Sequence, residues 1–315
     1  MEREDTDVTV LRQQDFAAEG PVEVFVELGG GRLDIRLVPD TPDGTGADKK
    51  GAVSVQVRPD PAGAAPWSAG IAGLLTWLGE QTGAAPQGEL AAEAARRTLI
   101  DFTGQRLTVR TPRDVPLRTV PLLVQVSAPA GSSVTARSGS ADITVDGVAN
   151  RLDASTGSGQ VRAQQCRGAA DIRTGSGDVR LEHVQSGLRV QTGSGVVDVI
   201  SVAGGDNANS VRTGSGDVHF GMVGADVNAR TGSGDLVVAD ASVGRIELST
   251  GSGRLHVGIH PGVRAELDVS SGSGQARSDL PVGGQAPEGE VGLRVRARTG
   301  SGDALVTSAP SGSAD

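Results

Sequence analysis

Aspartate recurs at one fixed place in this sequence, directly after a Gly-Ser-Gly triplet or its single Gly-Ser-Ala variant. Five of the nine copies carry it, namely Asp142, Asp178, Asp217, Asp235 and Asp303. Regularly spaced carboxylates in glycine-rich turns are the calcium ligands of β-rolls. One carboxylate per repeat, however, falls short of the roughly six to eight oxygens that calcium prefers. The other four copies have Gln160, Val196, Arg254 and Gln275. We therefore expect each aspartate to close its turn through its own backbone amides, with calcium binding as a less favoured alternative.

Other residue types that could do chemistry do not form a set. Glycine loops that bind phosphate lead into a helix, whereas a strand pattern follows each triplet here. His219 and His256 share one column of the repeat but lie two repeats apart, about 10 Å at the spacing of strands, which is too far to share a metal. Cys166 falls in the column of Val184 and Val202 and is expected to be a small buried hydrophobe. We predict no metal site, no cofactor and no catalytic residues.

Carboxylates are nevertheless common on the polar columns, and β-helices that cleave polysaccharides use facing acids. Such enzymes line their grooves with aromatic side chains that stack on sugars. Aromatic residues make up only 2% of this chain, which has no tyrosine, and none falls in an outer column of the repeats. The composition therefore favours a protein that is not an enzyme, and action on a polymer is the least favoured alternative.

The triplets mark an internal repeat that must position all of these residues. The nine copies, counted from Gly139 in the degenerate first one, follow each other at intervals of 18 to 28 residues. Periods near twenty are typical of solenoids, in which a unit buries its apolar face only by stacking on its neighbours.

Each repeat reads as two strands joined by the triplet. After the triplet, apolar, polar and apolar residues alternate, as in Val179, Arg180 and Leu181, and the strand before the next triplet repeats the pattern with Leu188 and Val190. A threonine or serine precedes every triplet, and we expect its hydroxyl to bond along the stack. The pattern predicts an all-β, single-chain parallel β-helix, a β-solenoid of about nine coils. We expect a right-handed coil, because the apolar columns do not recur every six residues.

The chain before the repeats divides into strand and helix patterns. Strands are predicted at 22–28, 33–38 and 53–58. Apolar residues at helical spacing follow at 67–78, and an alanine-rich helical stretch follows at 89–99. We predict two domains: residues 1–133, an N-terminal β-strand segment whose helical insertion (about 66–100) caps the open edge of the solenoid, and residues 134–315, the repeat β-solenoid. Docking of a partner on the first helix is the alternative to a cap.

Charge and hydropathy restrict the partners and the location. The formal net charge is −9, which argues against a general nucleic-acid binder. No apolar run reaches the length of a membrane span, and the acidic first residues do not resemble a secretory signal. We expect a cytoplasmic protein.

Three stretches resemble a known bacterial family. They are the entry Pro21–Val24, the segment Ala91–Arg113 ahead of the repeats, and the closing run Val295–Asp303. In register and order they resemble the β-strand-repeat domain of unknown function that is often labelled a "putative adhesin" and is common in actinobacteria. The resemblance covers nearly the whole chain. It implies a β-helical fold and no established activity, and it supplies no catalytic residues to carry over.

The function that the sequence favours is that of a non-catalytic binding or scaffold protein whose partner is an unknown protein. Two sets of residues are the candidate contacts: an apolar anchor on the predicted helix and a stripe of arginines on one face of the coils. They are Trp67, Ile71, Leu74, Trp77, Arg173, Arg212 and Arg230. A polar surface around an apolar anchor suits a protein partner. The alternative from another class is a surface-exposed adhesin.

Overall fold

The computed structural model describes residues 11–39, 52–60, 87–204, 208–280 and 291–310. Within them lie twenty-five β-strands, one α-helix and one 3-10 turn, and two compact units, residues 1–149 with 154–160 and residues 150–153 with 161–315. The predicted all-β class and β-solenoid are confirmed. The predicted helix at 67–78, with Trp67, Ile71, Leu74 and Trp77, lies outside the described residues.

The first unit holds nine strands and the helix. In chain order they are β1 (Arg12–Ala17), β2 (Glu23–Leu28), β3 (Gly31–Val38), β4 (Ala52–Pro59), α1 (Gln87–Arg97), β5 (Leu99–Thr103), β6 (Arg106–Arg110), the 3-10 turn η1 (Leu117–Thr119), β7 (Leu122–Pro129), β8 (Ser133–Ser138) and β9 (Asp142–Ala149). Strand β10 (Arg151–Thr156) is divided between the units.

The second unit holds the remaining repeats. Its strands are β11 (Val161–Cys166), β12 (Ala170–Thr174), β13 (Val179–Val184), β14 (Leu188–Thr192), β15 (Val197–Val202), β16 (Asn209–Thr213), β17 (Val218–Val223), β18 (Val227–Thr231), β19 (Leu236–Ala241), β20 (Gly244–Ser252), β21 (Leu255–Ile259), β22 (Ala265–Ser271), β23 (Ala276–Ser278), β24 (Leu293–Ser301) and β25 (Ala304–Ser308). Even-numbered strands up to β24 form one parallel sheet of this unit, and odd-numbered strands form the other.

Stacking in register explains why the apolar columns form a core. Val179 pairs with Val197 and Leu181 with Val199 on β13 and β15, and Val190 pairs with its equivalent on the next coil in the other sheet. These inward side chains are at most 1% exposed. Because β-branched and aliphatic residues pack well on a pleated surface that has one buried face, the alternating pattern is enough to set the strands and their register.

The second unit does not stack its last two repeats in chain order. β25 lies between β21 and β23, and β24 lies between β20 and β22. The order of the repeats along the chain predicts the coil at Gly300 as the last one, and this prediction is wrong. The sequence offers a reason, because the inward position that is Val306 in β25 is the polar Ser278 in β23. In the resulting order Leu293, Val295 and Ala297 of β24 are at most 2% exposed, and the inward side of the edge strand β22 stays half-buried. The more apolar repeat takes the inner place.

The first unit shows a similar exchange. The coil β2–β3 lies between the coil β6–β7 and the coil β8–β9. The glycine triplet 29–31, which joins β2 to β3, occupies the Gly-Ser-Gly position, because Leu28 pairs with Ser138 and Arg32 with Asp142. Two coils, β2–β3 and β6–β7, thus add to the nine predicted from the repeats.

In the first unit, antiparallel strands continue one sheet past β7 and the other sheet past β6. β4 pairs with β7 and β1 with β4, while β5 pairs with β6. Phe16 of β1 stacks on Phe102 of β5, with ring centroids 5.3 Å apart. Helix α1, which confirms the alanine-rich helical prediction, packs against β4 and η1. Arg12 donates to the carbonyl of Arg96 at 3.0 Å, which satisfies an unpaired group at the end of the helix.

Candidate functional site

The recurring aspartates bond to the neighbouring coil and not to their own turn. Each carboxylate accepts the backbone N–H at the same position of the next coil, as Asp178 does from Val196 at 2.9 Å and Asp235 does from Arg254 at 2.7 Å. Asp142, Asp217 and Asp303 do the same. The expected turn closure through each residue's own amides was therefore wrong. In the described residues, no group of three or more His, Cys, Asp or Glu side chains is arranged to hold a metal.

The threonine and the second glycine of each triplet are also explained by stacking. A Cβ at Gly195 would lie 2.0 Å from the carbonyl oxygen of Gly177 on the preceding coil, so only glycine fits. Thr192 accepts the N–H of Gly195 at 3.1 Å, and Thr231 donates to the carbonyl of Gly216 on the coil before it at 3.1 Å. The motif that dominates the sequence therefore holds the coils together.

The predicted arginine stripe lies on the outer face of the even-numbered sheet of the second unit. Arg212 and Arg230 are directly opposite each other on β16 and β18. Arg173 is two strands from Arg212, with Gln191 between them. Arg173 bonds to Asp171 at 2.9 Å, so its charge is compensated. The structure thus brings together two of the three predicted arginines, and the third lies on their flank.

A third arginine adjoins this pair, and the sequence pattern did not point to it. Arg189 of β14 is in register with Ser210 of β16, two residues from Arg212 along that strand. On its other side Arg189 is in register with Asp171 of β12, whose ion pair is with Arg173. We call Arg189, Arg212 and Arg230 the arginine patch. All three are exposed. Strands β14, β16 and β18 contain no acidic residue, and no ion pair involves the patch within the described residues.

Most other arginines of this unit are paired with acids. Arg254 contacts Asp235 at 2.9 Å, and Arg294 contacts Glu266 at 3.2 Å. Asp268 accepts from Arg296 at 2.9 Å and from Arg298 at 3.3 Å. The hydrogen bond from Arg296, with Arg298 beside it, lowers the pKa of the Asp268 carboxyl below its ordinary value. Arg212 and Arg230 differ from these arginines in that no acid lies opposite them on a neighbouring strand.

Histidine and cysteine are accounted for individually. His256 lies 3.0 Å from the hydroxyl of Thr307, and His260 lies 3.0 Å from Asp240. Cys166 is buried in the column of Val184, as predicted. Burial raises the pKa of its thiol, despite backbone hydrogen bonds that oppose the change, and a neutral thiol is a poor nucleophile.

A shallow groove of about 410 Å³ lies on the odd-numbered sheet of the second unit. One row of side chains lines this groove. The row crosses four neighbouring strands and consists of Val237 of β19, His256 of β21, Leu305 of β25 and Arg277 of β23. Leu305 meets His256 only because β25 is inserted next to β21. Sequence reasoning that assumed coils in chain order could not find this groove.

Comparison with solved structures returns proteins with little sequence identity. A "putative adhesin" from Bacteroides fragilis NCTC 9343 is 11% identical, with 94% of this chain and 96% of that chain covered and a TM-score of 0.40. A "putative lipid binding protein" from Parabacteroides distasonis ATCC 8503 is also 11% identical, with 93% and 96% covered and a TM-score of 0.41. No curated protein matches. No described helix has the length and apolar character needed to cross a membrane.

A family model gives the assignment. The model described as Toastrack DUF4097 matches residues 124–307, which is more than half of the 315 residues and covers the coils from β7 onward. The repeat, the parallel coils and this match agree, and the chain belongs to the Toastrack DUF4097 family.

Proposed function

We propose that this chain is a non-catalytic binding or scaffold protein that holds an acidic protein partner on the arginine patch. The observation that carries the proposal is the register of Arg212 and Arg230. Like charges directly opposite on neighbouring strands destabilise a sheet, and no described acid compensates them. An acidic surface would supply the missing charge, and the planar guanidinium favours carboxylates through paired hydrogen bonds.

The neighbouring side chains support an extended polar contact. Gln191, Ser210 and Asn228 share the outer face with the patch, and Asn228 is held by Glu247 through a bond of 2.9 Å. Adjacent strands are about 4.8 Å apart, so Arg212 and Arg230 are one such step apart. Arg189 lies diagonally from Arg212, one strand and two residues away. Arg173 would lie at the rim of such a contact. Trp67, Ile71, Leu74 and Trp77 remain the predicted apolar anchor.

The experiment compares two double variants that change the net charge equally. Arg212→Gln with Arg230→Gln removes two charges of the patch, and Arg254→Gln with Arg277→Gln removes two arginines that are paired with acids. Binding of each protein to immobilised poly-L-glutamate is measured at low and at physiological salt. We expect the patch variant to bind about tenfold more weakly or worse, a change of about 1.4 kcal/mol, and the control to resemble the parent.

Two results would count against this function. Equal losses in both double variants would mean that only net charge matters. Tighter binding to duplex DNA than to poly-L-glutamate would mean that the partner is a nucleic acid. The second of these would also contradict the expectation drawn from the net charge of −9.

The proposed location is the cytoplasm, and the alternative is a surface-exposed adhesin. Fractionation of cells that make the native protein, with protease treatment of intact cells, separates the two. Protein that stays in the soluble interior and resists protease agrees with the proposal. Cleavage on intact cells would favour the adhesin.

A further inference from the structure

An elongated corner of the first unit forms a groove of about 390 Å³. In the coil β6–β7, residues 111–121 replace the short triplet corner and include η1. This corner folds onto the neighbouring coil: a Cβ at Gly29 would lie 2.2 Å from the carbonyl oxygen of Arg118, and Thr111 accepts the N–H of Gly29 at 3.2 Å. These contacts fix the backbone that carries Arg113 and Arg118 at the groove.

The groove carries more positive than negative charge. Arg113, Arg118 and Arg137 line it together with one acid, Glu27. Arg113 binds both oxygens of Glu27, at 2.6 and 2.8 Å. Within the described part of the chain, Arg118 and Arg137 have no carboxylate within ion-pair distance, and the nearby Asp114 contacts Arg97 at 3.4 Å.

An aromatic side chain holds two guanidiniums beside the groove. The ring of Phe25, which points outward from β2, lies 5.1 Å from the guanidinium carbon of Arg110 and 5.9 Å from that of Arg137. In register, Glu27 is flanked by the same two arginines. Cation–π contacts favour ordered guanidiniums, so Arg137 is held in position although it lacks an acidic partner.

We propose that this groove binds a small polyanion, a ligand with two or more phosphate or carboxylate groups. Its volume lies in the range of about 300–1,000 Å³ that is typical of small-molecule sites. Arg118 and Arg137 offer the oxyanions forked donors, and an anion that displaces Glu27 would also engage Arg113. The site lies on a different unit from the arginine patch and does not depend on the function proposed above.

Calorimetric titration of the full chain with pyrophosphate and with citrate, in a buffer free of both anions, tests the site. Pyrophosphate represents phosphorylated ligands and citrate represents carboxylates, while acetate serves as the single-charge comparison. We expect saturable binding of one polyanion per chain. Arg118→Ala with Arg137→Ala should weaken it at least about tenfold. Glu27→Gln should tighten it, because the variant removes the internal competitor.

Arg106→Ala is the matched control. Arg106 lies on the same sheet face and pairs with Glu23 at 2.5 Å, but it does not line the groove. This control, and the double variant Arg212→Gln with Arg230→Gln, should bind pyrophosphate and citrate as the parent protein does. The site would be refuted by the absence of saturable binding of both polyanions, by equal loss in Arg106→Ala, or by acetate that binds as well as citrate. Should the double variant fail to fold, Arg118→Ala and Glu27→Gln singly decide the question.

Discussion

At the scale of single residues, the Gly-Ser-Gly motif separates into parts with different roles. The second glycine is required by the close approach of two coils, since Gly216 and Gly234 face the same carbonyl contact as Gly195. The serine between the glycines is exposed. The threonine is buried, and Thr156 accepts the N–H of Gly159 in its own coil and donates to the carbonyl of Ala141 in the neighbouring coil. Motif residues that look like a ligand-binding signature therefore serve backbone contacts.

Gly195→Ala should consequently be among the most damaging small substitutions in the second unit. The new methyl would lie 2.0 Å from the oxygen of Gly177, so the coils must separate and lose inter-coil hydrogen bonds. We expect destabilisation of about 3 kcal/mol or more, measured by urea denaturation. Ser194→Ala, at the exposed middle position, should change stability by less than about 0.5 kcal/mol. Equal effects would show that the corner has room for a side chain.

At the scale of elements, strand β22 lies at the edge of its sheet, with incomplete burial on its inward side and ion pairs on its outward side. Its inward residues are half-buried, and its outward Asp268 binds Arg296 and Arg298 of β24. Because salt bridges at exposed sites are weak, this strand should open more readily than the inner ones.

Asp268→Asn should therefore increase amide hydrogen exchange in β22 and leave β18 unchanged. The two arginines lower the pKa of Asp268 in the folded chain, so the carboxylate contributes stability above its ordinary pKa of 3.8 and loses it as the pH falls through the lower, folded value. After correction for the intrinsic exchange rate, which itself falls with pH, acid should lower the protection of the β22 amides in the parent and have less effect on the variant. Faster exchange spread evenly over the unit would contradict local opening.

The sequence predicted the strands and the helix better than it predicted which strands lie next to each other. Alternation identified the strands of the repeats and their buried columns, because a one-residue shift would expose every apolar side chain, and the run of alanines identified the helix. Strands β1 and β5 were not predicted. It did not reveal the order of stacking, since each coil offers nearly the same edge to any other. Weak signals were present: Ser278 occupies an inward column, and the interval before Gly300 is the longest. The sequence predicted Arg212 and Arg230 of the arginine patch but not Arg189, because the acids near each arginine depend on which strands are neighbours.

At the scale of the whole chain, the exchanged order of the last repeats explains contacts that no local pattern predicts. Asp303 accepts the N–H of Gln275, and Thr299 donates to Gly253. In the other coils an aspartate accepts from the following coil and a threonine donates to the preceding coil. The two bonds fit this rule only if the repeat at Gly300 comes before the repeat at Gly272 in the stack. The inter-coil hydrogen bonds of the aspartates and threonines thus identify the order in which the coils stack.

Paired cysteines can measure that order directly. Ser249 is in register with Arg298, and Arg298 with Ser270, all on an outer face. Neighbouring strands about 4.8 Å apart are within the range for a disulfide, about 4.4–6.8 Å between Cα atoms. In a Cys166→Val background, Ser249→Cys with Arg298→Cys should form an internal disulfide on mild oxidation, seen by mass spectrometry of peptides. Ser249→Cys with Ser270→Cys should not, because β24 separates the two positions.

Efficient formation of the second disulfide and failure of the first would mean that the coils stack in chain order, and the groove at His256 and Leu305 would then not exist.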